Sequence, residues 1–189
     1  MSLAASNPLY LQLMNDESQS HEQSRQLGRW MVYAAWVLFL GLLTWLFSGT
    51  LERLHNPNTE PLSSMRATAA EVVLQRNRWG HYVVTGHING EPTTFMLDTG
   101  ATDISVPAAL AQRLGLKRGV ELTYQTANGP VTAWATRLQS AGIGPIELHD
   151  LRAHINPNVS GDEVLLGMSF LKQLEMVQRG DTLTLRYGR

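Results

Sequence analysis

The spacing of hydrophobic positions changes twice along the chain and divides it into three kinds of segment. Residues 1–29 are mostly polar, with serine, asparagine, glutamine and mixed charges, and this composition predicts a mostly disordered tail. Residues 30–51 are almost continuously apolar, and positions 30–47 carry no charge. From residue 71 onwards, short apolar runs alternate with turn-forming residues, a pattern typical of β-strands. The chain is therefore predicted to contain a tail, one long helix and a separate strand-rich domain.

The apolar segment from Trp30 to Leu51 is long enough to cross a membrane. As a helix it would measure roughly 33 Å, against about 30 Å for a hydrocarbon core. Trp30, Trp45 and Phe47 lie near its ends, where aromatic rings favour the headgroup region. The alternative is a cleaved signal peptide, but the run is long, starts late and has no A-x-A-like site after it. A retained transmembrane anchor is the favoured interpretation.

Residues 52–70 are predicted to be a linker between this helix and the domain. Asparagine and proline occur at positions 56–58 and proline again at 61, and such residues punctuate regular structure. One helical turn is expected between Met65 and Ala70. A tether of this composition would let the domain at residues 71–189 stand away from the bilayer.

The strongest hairpin signal in the domain is Asn89-Gly90, because both central positions of a type I′ turn need positive φ. Strands are predicted on either side of it, over residues 81–88 and 93–97. A helix is predicted over residues 107–115, with Pro107 in its first turn and Gly115 past its end.

The rest of the domain contains further short strands and one more helix. Two strands are predicted within residues 120–138, two more at 146–148 and 151–155, a helix at 168–174, and a final hairpin at 175–178 and 182–186. Many short strands with two short helices indicate a mainly β, closed barrel. About 115 residues suffice for one core, and no internal repeat indicates a second lobe.

Composition excludes several classes of function. The net charge is −1 without a basic block, which argues against a nucleic-acid partner. The chain has no cysteine, so disulfides and thiol chemistry are excluded. His81 and His87 have no metal-ligand spacing around them, and no G-x-S-x-G occurs, so neither a metal, nor another cofactor, nor a serine nucleophile is predicted.

The candidate chemistry lies at Asp98, directly after the apolar run at residues 95–97. The motif Asp98-Thr99-Gly100-Ala101 would place one carboxylate on a rigid turn at the end of a buried strand. This tetrapeptide is the active-site signature of the aspartic proteases. Residues 164–167, Val-Leu-Leu-Gly, match the hydrophobic-hydrophobic-glycine motif that accompanies it. The segment from about residue 72 to 186 therefore resembles the bacterial, single-lobed retropepsin-like proteases.

The resemblance implies roles for individual residues. It makes Asp98 catalytic, Thr99 a brace between two loops of a dimer, Gly100 a point of close backbone approach and Ala101 a small residue beside the substrate. It implies that the chain at Leu165, Leu166 and Gly167 crosses beneath the active-site loop. It also places a substrate-covering flap at Thr126, Ala127, Asn128 and Gly129, which would otherwise be an ordinary exposed turn. Asp103 is either an acid near the substrate or a solvated surface acid.

The resemblance implies peptide hydrolysis, and the single Asp-Thr-Gly then implies two chains. The chemistry needs two carboxylates, and a chain of 189 residues with one such motif supplies only one. A homodimer with two Asp98 side chains across a twofold axis is therefore predicted. Met168 stands where viral members carry an arginine that braces the dimer, which indicates a weaker dimer. The alternative function is a non-catalytic binding or assembly module with the same fold.

The predicted location is the inner membrane, with a single span. Arg25 and Arg29 precede the apolar segment and Arg53 follows it, which slightly favours a cytoplasmic N-terminus and a periplasmic domain. The predicted partners are a second copy, a peptide or protein substrate, and the membrane.

Overall fold

The computed structural model describes residues 8–66, 69–126 and 129–188. It divides into two compact units, Met1–Thr50 and Leu51–Arg189. Helix α1, Pro8–His55, forms the described part of the first unit and enters the second.

Helix α1 is longer than the sequence predicts. The polar residues from Pro8 onwards are helical, so the prediction of a disordered tail is wrong for this stretch. Residues 9–27 contain neither glycine nor proline and many good helix formers, so nothing in them interrupts a helix. Within α1, the portion Gly28–His55 is long and apolar enough to cross a membrane, by length and composition alone, with a mean hydropathy of 1.9.

The second unit consists of short strands with two short helices. The helices are α2, Ala108–Arg113, and α3, Met168–Leu171. The strands are β1 (Leu62–Arg66), β2 (Ala69–Gln75), β3 (Val83–Ile88), β4 (Glu91–Leu97), β5 (Ile104–Pro107), β6 (Glu121–Thr126), β7 (Gly129–Ile143), β8 (Ile146–Asn156), β9 (Glu163–Leu166), β10 (Glu175–Arg179) and β11 (Thr182–Gly188).

These strands form two sheets. The smaller sheet has the order β1-β2-β11-β10 and is antiparallel throughout. The larger has the order β3-β4-β9-β5-β8-β7-β6, and β3 also pairs with β7. Among the described strands, only β4–β9 and β5–β8 are parallel pairs. Strand β9 thus lies between β4 and β5, the two strands that flank Asp98 in the chain.

One hydrophobic core underlies both sheets. Strand β2 alternates buried and half-buried positions, and its Val72 and Leu74 are fully buried. Phe95 of β4 and Phe170 of α3 are the largest fully buried side chains among the described residues. Because these residues belong to one cluster, the smaller sheet, the strand leading to Asp98 and helix α3 share a single packed interior.

The local predictions around Asn89-Gly90 agree with the structure. Asn89 has φ 51° and Gly90 φ 86°, as a type I′ turn requires, and β3 and β4 pair around them. Helix α2 follows Pro107, and Gly115 has φ 65° just past its end. The two strands predicted at 146–148 and 151–155 form one strand, β8, with Asp150 at φ 54° between them.

The predicted linker is largely part of the folded unit. Strand β1 pairs with β2 from Leu62 to Arg66, so the helical turn expected near Met65 is wrong. Asn56 and Asn58 are only 5% and 3% exposed. The Asn58 amide donates to the carbonyls of Gln75 (2.9 Å) and Val83 (2.7 Å), and its oxygen accepts from Gln75 N–H (2.6 Å). This side chain joins β2 to β3 where the backbones do not pair.

Replacing Asn58 with Ala is expected to lower the free energy of unfolding by about 3 kcal/mol, because buried backbone groups of Gln75 and Val83 lose their partner. Chemical denaturation monitored by tryptophan fluorescence measures the change. Asn158→Ala, at an exposed position, is the matched control and should stay within about 0.5 kcal/mol of the original protein. Equal midpoints for the two variants would show that the Asn58 bridge contributes nothing.

Candidate active site

Asp98 follows β4 directly and is held by backbone hydrogen bonds on both sides. Leu97 N–H donates to the Tyr82 carbonyl at 3.0 Å, and Asp98 N–H donates to the Leu166 carbonyl at 3.2 Å. The second bond continues the parallel pairing of β4 with β9. The Asp98 backbone is therefore fixed to the buried sheet, while its side chain is half-buried.

The active-site loop, defined as residues 98–103, turns sharply at Thr99 and Gly100. Gly100 N–H donates to Asp98 Oδ1 at 2.8 Å, and Ala101 N–H donates to the Asp98 carbonyl at 3.3 Å. A side chain at position 100 would begin 3.1 Å from Asp98 Oδ1. The turn thus orients the carboxylate and donates one hydrogen bond to it.

Gly167 passes directly beneath the active-site loop. A Cβ at this position would lie 2.3 Å from the Asp103 carbonyl oxygen and 2.7 Å from that of Ala101. The backbone at Gly167 is extended, with φ −87° and ψ −171°, so glycine is required by the lack of space and not by its own conformation. Leu165 and Leu166 precede it in β9 and pair with Met96 and Leu97 of β4.

The start of α3 supports the loop from below. Met168 N–H donates to the Ala101 carbonyl at 2.8 Å, and Ser169 N–H donates to the Thr102 carbonyl at 2.9 Å. The buried Ser169 hydroxyl accepts from Ile104 N–H at 3.2 Å and donates to the Arg152 carbonyl at 2.8 Å. These bonds give Ser169 a structural role. The loop is consequently held at both of its ends.

A group of polar side chains lies at the far end of the loop. Asp103 forms an ion pair with Arg152, with 3.4 Å between Oδ1 and Nε. Burial lowers the pKa of His154, and the negative charge of Asp103 opposes that change. Burial, together with the Asp103 charge, raises the pKa of Tyr124. Sequence reasoning missed Tyr124 and His154. The only signal was a histidine within the apolar alternation of residues 151–155.

The predicted flap residues lie at the end of the hairpin formed by β6 and β7. Thr126 pairs with Gly129, which has φ 104°. Ala127 and Asn128 lie outside the described residues. Tyr124 brings this hairpin close to the active-site loop, because it lies in β6 and near the charge of Asp103.

Comparisons with known proteins agree with this geometry. Residues 84–173 match the family model described as gag-polyprotein putative aspartyl protease. The chain is also similar to the crystal structure of a retropepsin-like aspartic protease from Rickettsia conorii. The two are 34% identical with a TM-score of 0.55, and the match covers 67% of this chain and 96% of the other. The chain belongs to the retropepsin-like aspartic proteases.

Two curated relatives share parts of this retropepsin-like chain. A protein from the cobV 5′ region of a Sinorhizobium species is 39% identical over 120 residues, which is 61% of this chain and 52% of the relative. A protein of Rickettsia prowazekii (strain Madrid E) is 35% identical over 108 residues, which is 56% of this chain and 46% of that one. The chain thus spans about half the length of the curated relatives it matches.

The family and the mainly β, retropepsin-like fold predicted from the sequence are therefore confirmed. The structure brings Asp98, Thr99, Gly100 and Ala101 into one loop and places Gly167 under it. Their chemical roles, and that of the hairpin tip, stay predictions. The backbone N–H of His81 donates to Asn77 Oδ1 at 3.0 Å, and His87 Nε2 lies 3.6 Å from Glu147 Oε1.

Proposed function

We propose that this retropepsin-like chain is a membrane-anchored aspartic endopeptidase that is active as a homodimer. The observation that carries the proposal is a single carboxylate, Asp98, raised on a rigid turn at the end of a buried strand. The sequence contains no second Asp-Thr-Gly. Since the chemistry needs two such acids, the second Asp98 comes from another copy of the chain.

The two Asp98 carboxyl groups share one proton in this mechanism. The ionised group takes a proton from a water molecule, and the oxygen of that water attacks the peptide carbonyl carbon. The protonated group gives its proton to the carbonyl oxygen, where negative charge develops. Repulsion between neighbouring carboxylates keeps one of them protonated, so the dyad titrates as a pair.

The neighbouring residues position the dyad and the substrate. Thr99 is exposed on the turn, where its hydroxyl is available to the loop of a second copy. Gly100 has no side chain and Ala101 has a small one, so a peptide backbone can approach the Asp98 carboxylate. The β6–β7 hairpin, including Thr126 and Gly129, closes over the bound peptide and excludes water. Leu165, Leu166 and Gly167 hold the loop from below.

The apolar part of α1 serves as the anchor in this proposal. Its length and composition suit a single span of the inner membrane, and Arg25 and Arg29 favour a cytoplasmic N-terminus with a periplasmic protease domain. Confinement to a bilayer raises the effective concentration of protomers. Anchoring therefore favours a dimer whose own interface is weak.

Mixing the original protein with an Asp98→Asn variant tests the need for two acids. With equal amounts and free exchange of subunits, activity should fall to about a quarter of that of the same total amount of original protein, because random pairing leaves that share of dimers with two intact acids. A peptide-cleavage assay in detergent micelles measures the ratio. An activity of one half would show that each protomer works alone, and this would refute the dimer.

A further inference from the structure

An aromatic contact joins the β6–β7 hairpin to the body of the domain. The rings of Tyr124 and His154 are stacked, with 4.2 Å between their centroids and 26° between their planes. Within the described residues, β6 pairs with β7 alone, and His154 lies in β8 on the far side of β7. The stack therefore connects β6, the outer strand of the hairpin, to β8, with which β6 does not pair.

His154 occupies an unusual position for a titratable side chain. It is only 8% exposed, and its Nδ1 is buried without a hydrogen-bond partner among the described residues. Its neighbours across the sheet are Ser105 of β5 and Ala135 of β7, neither of which carries charge. The Ser105 hydroxyl is likewise buried without a partner in the described structure. The Tyr124 ring stacks on this imidazole and covers one of its faces.

Few charged groups surround His154 in the part of the chain that the structure describes. The active-site loop contributes Asp103, and β8 itself contributes Arg152, which pairs with Asp103. The hairpin contributes the Tyr124 hydroxyl, whose pKa is raised by burial and by the charge of Asp103, so this hydroxyl carries no charge at neutral pH. The negative charge of Asp103 is therefore what attracts a proton to His154. The same carboxylate also forms an ion pair with Arg152.

We propose that Tyr124 and His154 are positioning residues whose stacked rings fix strand β6 of the hairpin beside the active-site loop, and that a proton on His154 releases it. This inference rests on the proposed function only in giving the hairpin the task of covering a peptide. The stack itself is a property of the fold. Neither residue touches the reacting atoms; both act through the position of the hairpin.

The direction of the pH effect follows from burial. Burial lowers the pKa of His154, and the Tyr124 ring stacks on this imidazole, so the docked hairpin binds a proton less readily than a hairpin that leaves the imidazole in water. The stabilisation of the docked state is therefore complete above the ordinary pKa of histidine, near 6.5, and is lost as the pH falls below it. Mild acid, where a shared-proton carboxyl dyad can operate, also frees the hairpin to admit a peptide.

Hydrogen exchange of the full chain in detergent micelles tests the positioning role. In Tyr124→Leu, amides of residues 121–126, 129 and 131–133 should exchange about fivefold to tenfold faster than in the original protein at neutral pH, as expected from the loss of one aromatic pair. Tyr124→Phe keeps the ring and should exchange at the original rate. The amides of β3 and β4 provide the internal reference. Unchanged exchange in Tyr124→Leu would overturn the proposal.

The proton dependence needs a second measurement. After correction by the reference amides, the hairpin of the original protein should exchange faster as the pH falls from 7.5 to about 5, whereas His154→Phe should not respond. The His154 pKa, followed by NMR of the imidazole, should rise in Tyr124→Leu. A pH response that persists in His154→Phe, or a His154 pKa unmoved by Tyr124→Leu, would refute the switch. None of these readouts uses peptidase activity, so they stand or fall separately from the proposed function.

Discussion

Replacing Asp98 with Asn should reduce peptide cleavage by roughly 10⁴-fold or more, the scale seen when an essential member of a catalytic group is removed. The amide cannot accept a proton from water, and it cannot share a proton with a second carboxyl group. The fold should survive because the bonds that position this residue are mostly made by its backbone, from Asp98 N–H to Leu166 and from Ala101 N–H to Asp98. Initial rates on a peptide library, with circular dichroism as the fold check, measure both effects.

Asp162→Asn is the matched control for this substitution. Asp162 is an exposed acid paired at 2.9 Å with Arg113, which lies at the end of α2 and outside the active-site loop. The control variant should retain the original rate within about twofold, because exposed ion pairs contribute little. Cleavage by Asp98→Asn at a rate close to that of Asp162→Asn would eliminate the proposed mechanism. Absence of cleavage by both the original protein and Asp162→Asn would instead favour a binding or assembly module.

Replacing Gly167 with Ala should lower the melting temperature of the strand-rich unit by roughly 10–15 °C, corresponding to a loss on the order of 4 kcal/mol. The added methyl group would lie 2.3 Å from one backbone oxygen and 2.7 Å from another. Both oxygens belong to the active-site loop, so relief of the clash must displace the loop or β9. Peptidase activity should therefore fall even below the melting transition. Near-ultraviolet circular dichroism on heating measures the first effect.

Gly180→Ala separates steric conflict from backbone strain. Gly180 has φ 57°, and an added Cβ would meet nothing within 4 Å. This variant should lose only about 1 kcal/mol, the cost of a left-handed conformation for alanine. Similar melting temperatures for the two variants would mean that the active-site loop can move to make room for a methyl group at position 167. That result would contradict tight packing of the loop on Gly167.

The features that the sequence predicts well are those set by neighbours in the chain. Asn89-Gly90 specifies its own turn because both residues tolerate positive φ, and the register of β3 and β4 follows from that turn. The turn at Asp98 is likewise local, since Gly100 N–H bonds to a side chain two residues away. The order of the residues alone therefore predicts both the strand that leads to Asp98 and the turn that follows it.

The features that the sequence does not predict depend on contacts between distant segments. Asn58 resembles a loop residue in sequence, but its amide bonds to backbone groups 17 and 25 residues away. Strand β1 lacks the apolar alternation of a typical strand and forms because β2 offers it an edge. The stack of Tyr124 on His154 joins strands that do not pair, so no spacing of residues along the chain predicts this contact.

The bridge made by Asn58 also bears on where the chain can be shortened. A fragment starting at residue 71 would expose the flank of β2 as a free edge, and it would leave the buried carbonyl of Val83 without the amide of Asn58. Such a fragment is expected to aggregate through edge-to-edge pairing of the exposed strand. A fragment starting at Leu51 retains the bridge and the strand that shields that edge, so it is the version suited to solution work.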